Sequence, residues 1–228
     1  MRALFQGSPA SRLVQALALL AGGLGCMRGV GAVEATAVLA GLERRYASVE
    51  TVAGSFQQTY RAPGMEQVES GVFWLKRPAL MRWEYRQPEE KLFVADGHES
   101  FLYVPQDRQV TVQPLAASDL RRTPLEFLLG SGDIAKSFAV SWEADARPPS
   151  EHTYRIRLTP RRREAEYSFL VLELDPEHYD LRRIVIREPN GNTSEFFLTN
   201  VTTNVKVENK AFRFKPPKGV EVIRLTND

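Results

Sequence analysis

Arg77 is the residue whose type and setting most demand a chemical account. It follows Gly71–Lys76 in the segment GVFWLKRPALMRWEY (71–85), which reads as two strands meeting at Pro78. Strand side chains alternate between faces. The odd positions Phe73, Leu75 and Arg77 therefore share one face, continued by Ala79, Met81, Trp83 and Tyr85. The even positions Leu80, Arg82, Glu84 and Arg86 are mostly polar. A lone guanidinium on an apolar face is very costly to bury, so it needs oxygen partners. Either the face opens into a cavity, or a carbonyl-rich element docks on it. Both make it a hydrophobic binding surface with a polar latch. The plainer alternative leaves Arg77 reaching water at a strand end, with Phe73, Leu75, Met81, Trp83 and Tyr85 as ordinary core.

Catalytic chemistry finds no support in the residue pattern. There is no Gly-x-Ser-x-Gly elbow, phosphate-binding loop or zinc motif. His98, His152 and His178 are scattered, without metal-ligand spacing. No credible nucleophile–base set is present, and neither a metal site nor a lipid-modifying hydrolase is expected. Arg161-Arg162-Arg163 reads as a solvated hairpin tip, with contact to anionic lipid or an acidic partner as the lesser alternative.

The elements that must position Arg77 and its apolar neighbours are mostly strands. Residues 33–49 place Val38, Leu39, Leu42, Tyr46 and Val49 on one helical face, and Gly54 is expected to stop that helix. Strands are expected at Ser55–Arg61, Val68–Arg77, Leu80–Arg86, Leu92–Ala95, Phe101–Val104 and Gln109–Gln113. Asp96-Gly97 and Asn190-Gly191 mark hairpin turns. Thr123-Pro124 opens a short helix, greasy all round through Leu125, Phe127, Leu128 and Leu129, and Gly130 stops it. That helix is either a buried structural piece or a lid. A further turn of helix is expected over Asp133–Lys136. Strands resume at Phe138–Trp142, Thr153–Leu158, Tyr167–Leu174, Leu181–Ile186 and Ser194–Val201, and Phe212-x-Phe214 and Val220-x-Val222 close the chain. The reading is a mainly β protein of about eleven strands, ordered mostly as hairpins and strongly curled.

Residues 1–32 read as a signal peptide. Arg2 and Arg12 precede the apolar run Leu13–Leu24, and Val30-Gly31-Ala32 supplies small residues for cleavage near Ala32. Residues 33–228 then form one exported domain, soluble in the periplasm. The leader holds three arginines and no acid, so the remainder carries 27 Lys+Arg against 28 Asp+Glu. Nucleic-acid binding is not expected from that balance. Cys26, the only cysteine, is expected to leave with the leader; were it lipidated, the protein would be membrane-anchored.

An ordered set of motifs resembles the LolA family of periplasmic outer-membrane lipoprotein carriers. These are Val52-Ala53-Gly54-Ser55-Phe56-Gln57-Gln58, Gly71-x-Phe-Trp-Leu-Lys76-Arg77-Pro78 with Arg82-Trp83-Glu84-Tyr85 and Gln87-Pro88, and Val94-Ala95-Asp96-Gly97 with Leu102-Tyr103-x-Pro105. Thr123-Pro124-Leu125 and Phe212-x-Phe214-x-Pro216-Pro217-x-Gly219-Val220 complete the set, which spans nearly all of residues 33–228. The resemblance implies an incomplete antiparallel β-barrel with short helices as a lid over a hydrophobic cavity. It implies that acyl chains of lipoproteins occupy the cavity, with no cofactor and no catalysis. Arg77 then corresponds to the family's lid latch, Phe73, Leu75, Met81, Trp83 and Tyr85 to cavity wall, and Leu42, Tyr46, Val49, Leu125, Leu128 and Leu129 to the lid helices. Met81 and Tyr46 depart from the aromatic and the aliphatic residue commoner at those places. The implied partners are acylated outer-membrane lipoproteins, an inner-membrane lipoprotein-releasing ABC transporter and an outer-membrane lipoprotein acceptor, with the carrier a monomer. An anchored acceptor of similar fold and a lipoprotein-sensing periplasmic regulator are the competing roles.

Overall fold

Alternation of apolar and polar residues along most of the chain commits it to half-buried antiparallel strands. The computed structural model describes residues 33–115, 134–144, 153–162 and 167–225. Helix α1 (Ala35–Tyr46) comes first, followed by β1 (Thr51–Ala62), β2 (Met65–Lys76), β3 (Leu80–Gln87), β4 (Lys91–Asp96), β5 (Glu99–Val104) and β6 (Gln109–Pro114). A single turn of helix, α2 (Ile134–Ser137), leads into β7 (Phe138–Trp142), β8 (Tyr154–Pro160), β9 (Phe169–Leu174), β10 (Leu181–Arg187) and β11 (Thr193–Thr203). A 3-10 turn (Asn209–Phe212) and β12 (Glu221–Arg224) finish the described chain. The twelve strands make one sheet in the order β12-β6-β5-β4-β3-β2-β1-β11-β10-β9-β8-β7. The sheet is not closed, and β7 and β12 are its two ends.

Where the sequence predicts about eleven hairpin-ordered strands, the structure has twelve. The additional one is β12, which pairs parallel to β6, Val222 opposite Val110. Every residue of β12 is exposed, so no one-sided pattern announces it. Gly54 is also corrected. Helix α1 ends eight residues earlier, and Gly54 lies inside β1 opposite Phe73. A Cβ there would fall 2.9 Å from the Phe73 ring, so glycine makes room for an aromatic rather than stopping a helix. The Asp96-Gly97 turn forms as expected: Gly97 has φ +96, and Asp96 Oδ1 accepts from the His98 and Glu99 amides at 2.9 and 2.8 Å.

The two faces of the sheet are covered differently. One face carries a cluster that joins β1–β4 to β7–β11, and α1 lies within it. The opposite face of β4–β6 holds a second cluster of Val94, Phe101, Val110 and Val112, packed by Phe214 and Val220 of the C-terminal segment. Farther along that second face a chain of ion pairs crosses six neighbouring strands. Arg155 (β8) and Arg183 (β10) flank Glu173 (β9) at 3.7 and 3.4 Å. Glu195 (β11) lies between Arg183 and Arg61 (β1), at 2.7 and 3.0 Å, and Arg61 meets Glu66 (β2) at 2.7 Å. The Arg183 Nε contact is close but out of line for a hydrogen bond, so it counts as an ion contact only.

Candidate functional site

Register brings the predicted apolar residues together. Leu75 pairs with Met81, Phe73 with Trp83 and Gly71 with Tyr85 across β2 and β3. Phe73 and Leu75 are fully buried, Met81 and Trp83 nearly so, and Tyr85 is half-buried. Phe73 stacks on Trp83 with centroids 5.0 Å apart, and Phe56 meets Trp83 and Tyr85 edge-on at 4.8 and 4.9 Å. Phe196 adds a further side to the Trp83 ring at 5.8 Å. Sequence reasoning did not single out Phe56 or Phe196 as part of this floor. For Phe56 a signal existed: it pairs with Gly71, where the missing side chain leaves room for its ring. Phe196 comes from β11, whose pairing with β1 is a long-range fact.

Helix α1 shares one apolar core with this aromatic floor and runs nearest β7 and β8. Val38, Leu39, Leu42 and Tyr46 form its buried stripe, and Val49 follows in the connection to β1. All five belong to the same packed cluster as Phe73, Leu75, Met81 and Trp83. The helix and the sheet's apolar face thus belong to one core. Among the described residues, two open hollows of about 350 and 430 Å³ are lined by residues of the opposite face, such as Trp74 and Arg82 or Arg157 and Arg183. Leu125, Leu128 and Leu129 lie outside the described residues.

Arg77 sits just past the end of β2, half-buried, beneath the C-terminus of α1. Its Nη2 donates to the Tyr46 carbonyl at 2.7 Å, and its backbone N–H donates to the Glu50 carbonyl at 3.0 Å. The last carbonyls of a helix lack intrahelical donors and carry partial negative charge, which suits a guanidinium. The Tyr46 carbonyl also accepts from the Val49 amide at 3.1 Å. Arg77 Nε is buried without a hydrogen bond, so this arrangement leaves one donor unsatisfied.

A second set of contacts holds the other flank of α1. The Leu181 amide donates to the Tyr46 hydroxyl at 3.3 Å, and Arg45 Nε meets Asp180 at 2.8 Å. Gly41 abuts the Tyr179 ring so closely that a Cβ would fall 2.3 Å from Tyr179 Cε1. Glu43 accepts from the Ile134 amide at 3.1 Å, which ties α1 to α2. Burial pushes the Tyr46 phenol above its ordinary value, against the bond from Leu181. Burial also raises the Tyr85 phenol, with the nearby Glu69 adding to it. Among the described residues no group of three or more His, Cys, Asp or Glu side chains is arranged to hold a metal ion. The arrangement as a whole is a greasy floor, a helix that shares its core and a few polar fasteners.

The chain is similar to known proteins. The family described as "Outer membrane lipoprotein carrier protein LolA" matches residues 47–215. The "Outer-membrane lipoprotein carrier protein" of Bordetella pertussis is 31% identical over 186 residues, 81% of this chain and 85% of that protein. The protein of the same description from Hahella chejuensis is 31% identical over 180 residues, 78% of this chain and 83% of its own. Among solved structures, an uncharacterized conserved protein from Thermus thermophilus superposes with a TM-score of 0.50 at 14% identity, covering 84% of this chain and 99% of its own.

Proposed function

This chain belongs to the LolA family of outer membrane lipoprotein carrier proteins, and from that premise we propose that it is a non-enzymatic periplasmic carrier of acylated lipoproteins. It accepts them from an inner-membrane lipoprotein-releasing ABC transporter, shields their acyl chains against the floor of Phe73, Leu75, Met81, Trp83 and Tyr85, and hands them to an outer-membrane acceptor. Each methylene brought out of water is worth about 0.8 kcal/mol, so two or three exposed acyl chains represent tens of kcal/mol. A soluble carrier must offer comparable apolar surface yet hide it when empty. In this reading helix α1 supplies the cover, because its apolar stripe shares one core with the floor that the acyl chains would occupy.

The observation that carries this reading is the bond from Arg77 to the Tyr46 carbonyl, at the junction of cover and floor. A charge-assisted bond fastens the helix, while the unpaired Nε limits how firmly it does so. Open and closed states that differ by a few kcal/mol permit both loading and expulsion. No described helix is long and apolar enough to cross a membrane. Cleavage near Ala32 leaves residues 33–228 as the working carrier, a monomer. Purified protein added to spheroplasts is expected to bring triacylated lipoprotein into the soluble fraction. Lipoprotein that stays wholly with the membrane pellet would sink the proposal.

A further inference from the structure

The floor is not apolar along its whole length. Followed away from Arg77, the inward positions run Val52, Gly54, Phe56, Gln58 on β1 and Leu75, Phe73, Gly71, Glu69 on β2. They run Met81, Trp83, Tyr85 on β3 and Ala95, Phe93, Lys91 on β4. Each run ends in a polar group, at Gln58 and Glu69 on β1 and β2 and one row nearer, at Tyr85 and Lys91, on β3 and β4. Gln58 pairs with Glu69, and Tyr85 pairs with Lys91 one row nearer, level with Gly71 and Phe56, so the polar ends stand in two adjacent rows that side-chain bonds join. Tyr85 donates to Gln58 Oε1 at 2.9 Å, and Lys91 Nζ donates to Glu69 Oε1. Glu69 lies about 20 Å beyond Leu75 along β2, and Tyr85 about 13 Å beyond Met81 along β3.

A merely structural rim would not need that ion pair. The Lys91 and Glu69 side chains are only 21% and 11% exposed. Removing two charges from water is costly, and an apolar pair of like volume serves packing as well or better. The donors and acceptors suit a particular ligand group. Lys91 and the Gln58 amide bring N–H donors for ester carbonyls, which only accept; the Glu69 carboxylate and the Tyr85 oxygen can accept from peptide N–H groups.

Resting on the carrier reading, we infer that Gln58, Glu69, Tyr85 and Lys91 form a head-group site that receives the glyceryl ester and first peptide amides of the lipoprotein anchor, with its acyl chains directed toward Arg77. Cargo thus enters with a fixed polarity. The site discriminates lipoproteins from simple fatty acids, which have tails but no ester and amide groups.

The test compares two probes on the full processed protein: a synthetic diacylglyceryl-cysteine peptide and a fatty acid of the same chain length. In the Glu69→Gln/Lys91→Met variant, the ratio of lipopeptide to fatty-acid affinity is expected to fall about ten-fold, as loss of a charge-assisted bond implies. Tyr85→Phe keeps the ring packing and should lower the ratio less. An unchanged ratio in both variants overturns the head-group site while leaving the carrier reading intact. Failure of the wild-type protein to bind either probe overturns both. Orientation is read on the wild type, so it does not depend on a variant's folding. A photo-crosslinker at the acyl terminus should label Leu75 or Met81, and one at the peptide end should label β1–β4 near Lys91; the reverse pattern refutes the inference.

Discussion

Arg77 and Tyr46 meet at one carbonyl, and the consequences of that contact can be separated from ordinary packing. Arg77→Leu keeps apolar bulk but removes the donor to the α1 C-terminus. The closed state should weaken by about 1 kcal/mol, which corresponds to roughly five-fold faster amide exchange within 35–46. The same variant should keep its lipid and deliver less lipoprotein to acceptor membranes if, as proposed, reclosure of α1 contributes to expulsion. Unchanged exchange and unchanged delivery together would remove Arg77 from the latch role. The two raised phenols give a separate alkaline signature. Burial favours the neutral form of Tyr46 and Tyr85 in the folded protein, so each holds its pKa above the unfolded value of about 10. Their stabilising contribution is intact below that pH and is lost as pH climbs through the folded values. Base-induced unfolding, followed by circular dichroism, should therefore become less steep in Tyr46→Phe/Tyr85→Phe. At this scale the parity of residues 71–85 made the floor legible, because Pro78 left the alternation intact. The polar end of the floor was not legible: Tyr85 reads as one more aromatic until β4 places Lys91 beside it.

Helix α1 was readable from its spacing, but its seating was not. The stripe Val38, Leu39, Leu42 and Tyr46 predicts an apolar face. It gives no sign that the helix's flank rests on a turn 135 residues away, where Leu181 bonds Tyr46 and Tyr179 fits against Gly41. That contact yields a prediction whose sign is unusual. In an exposed helix Gly→Ala gains up to about 1 kcal/mol, but here the added methyl meets the Tyr179 ring. Gly41→Ala should instead destabilise by about 1–3 kcal/mol, as overpacking does. Tyr179→Ala in the same chain should recover part of the loss, a coupling that urea-midpoint measurements on the single and double variants would quantify. Additive effects would mean the ring simply swings aside. The strands follow the same division. Those with one wet face announced themselves by alternation, whereas β12 is exposed throughout and pairs parallel to β6, so only the folded sheet reveals it.

Over the whole molecule, a carrier with a removable cover must lose that cover without losing its sheet. The distribution of apolar contacts permits this. One cluster depends on α1, but the second, of Val94, Phe101, Val110 and Val112 with Phe214 and Val220, lies on the opposite face and includes no α1 residue. The cross-strand ion pairs from Arg155 to Glu66 also lie away from α1. In the proposed exchange acyl chains take the place of α1 in the shared core, so the apolar area around Phe73 and Trp83 stays buried while the helix loses its partner. Hydrogen exchange should then report opposite trends in two regions of one protein. On addition of a diacylated lipopeptide, amides of 35–46 should lose protection, and those of β4–β6 should keep theirs. Inner strands β1–β3 should gain protection as the ligand fills the floor. Gain of protection in α1 together with the strands would mean that the helix stays seated, and cargo would have to bind on the outside of a closed molecule. That outcome would contradict the proposed exchange of helix for acyl chain.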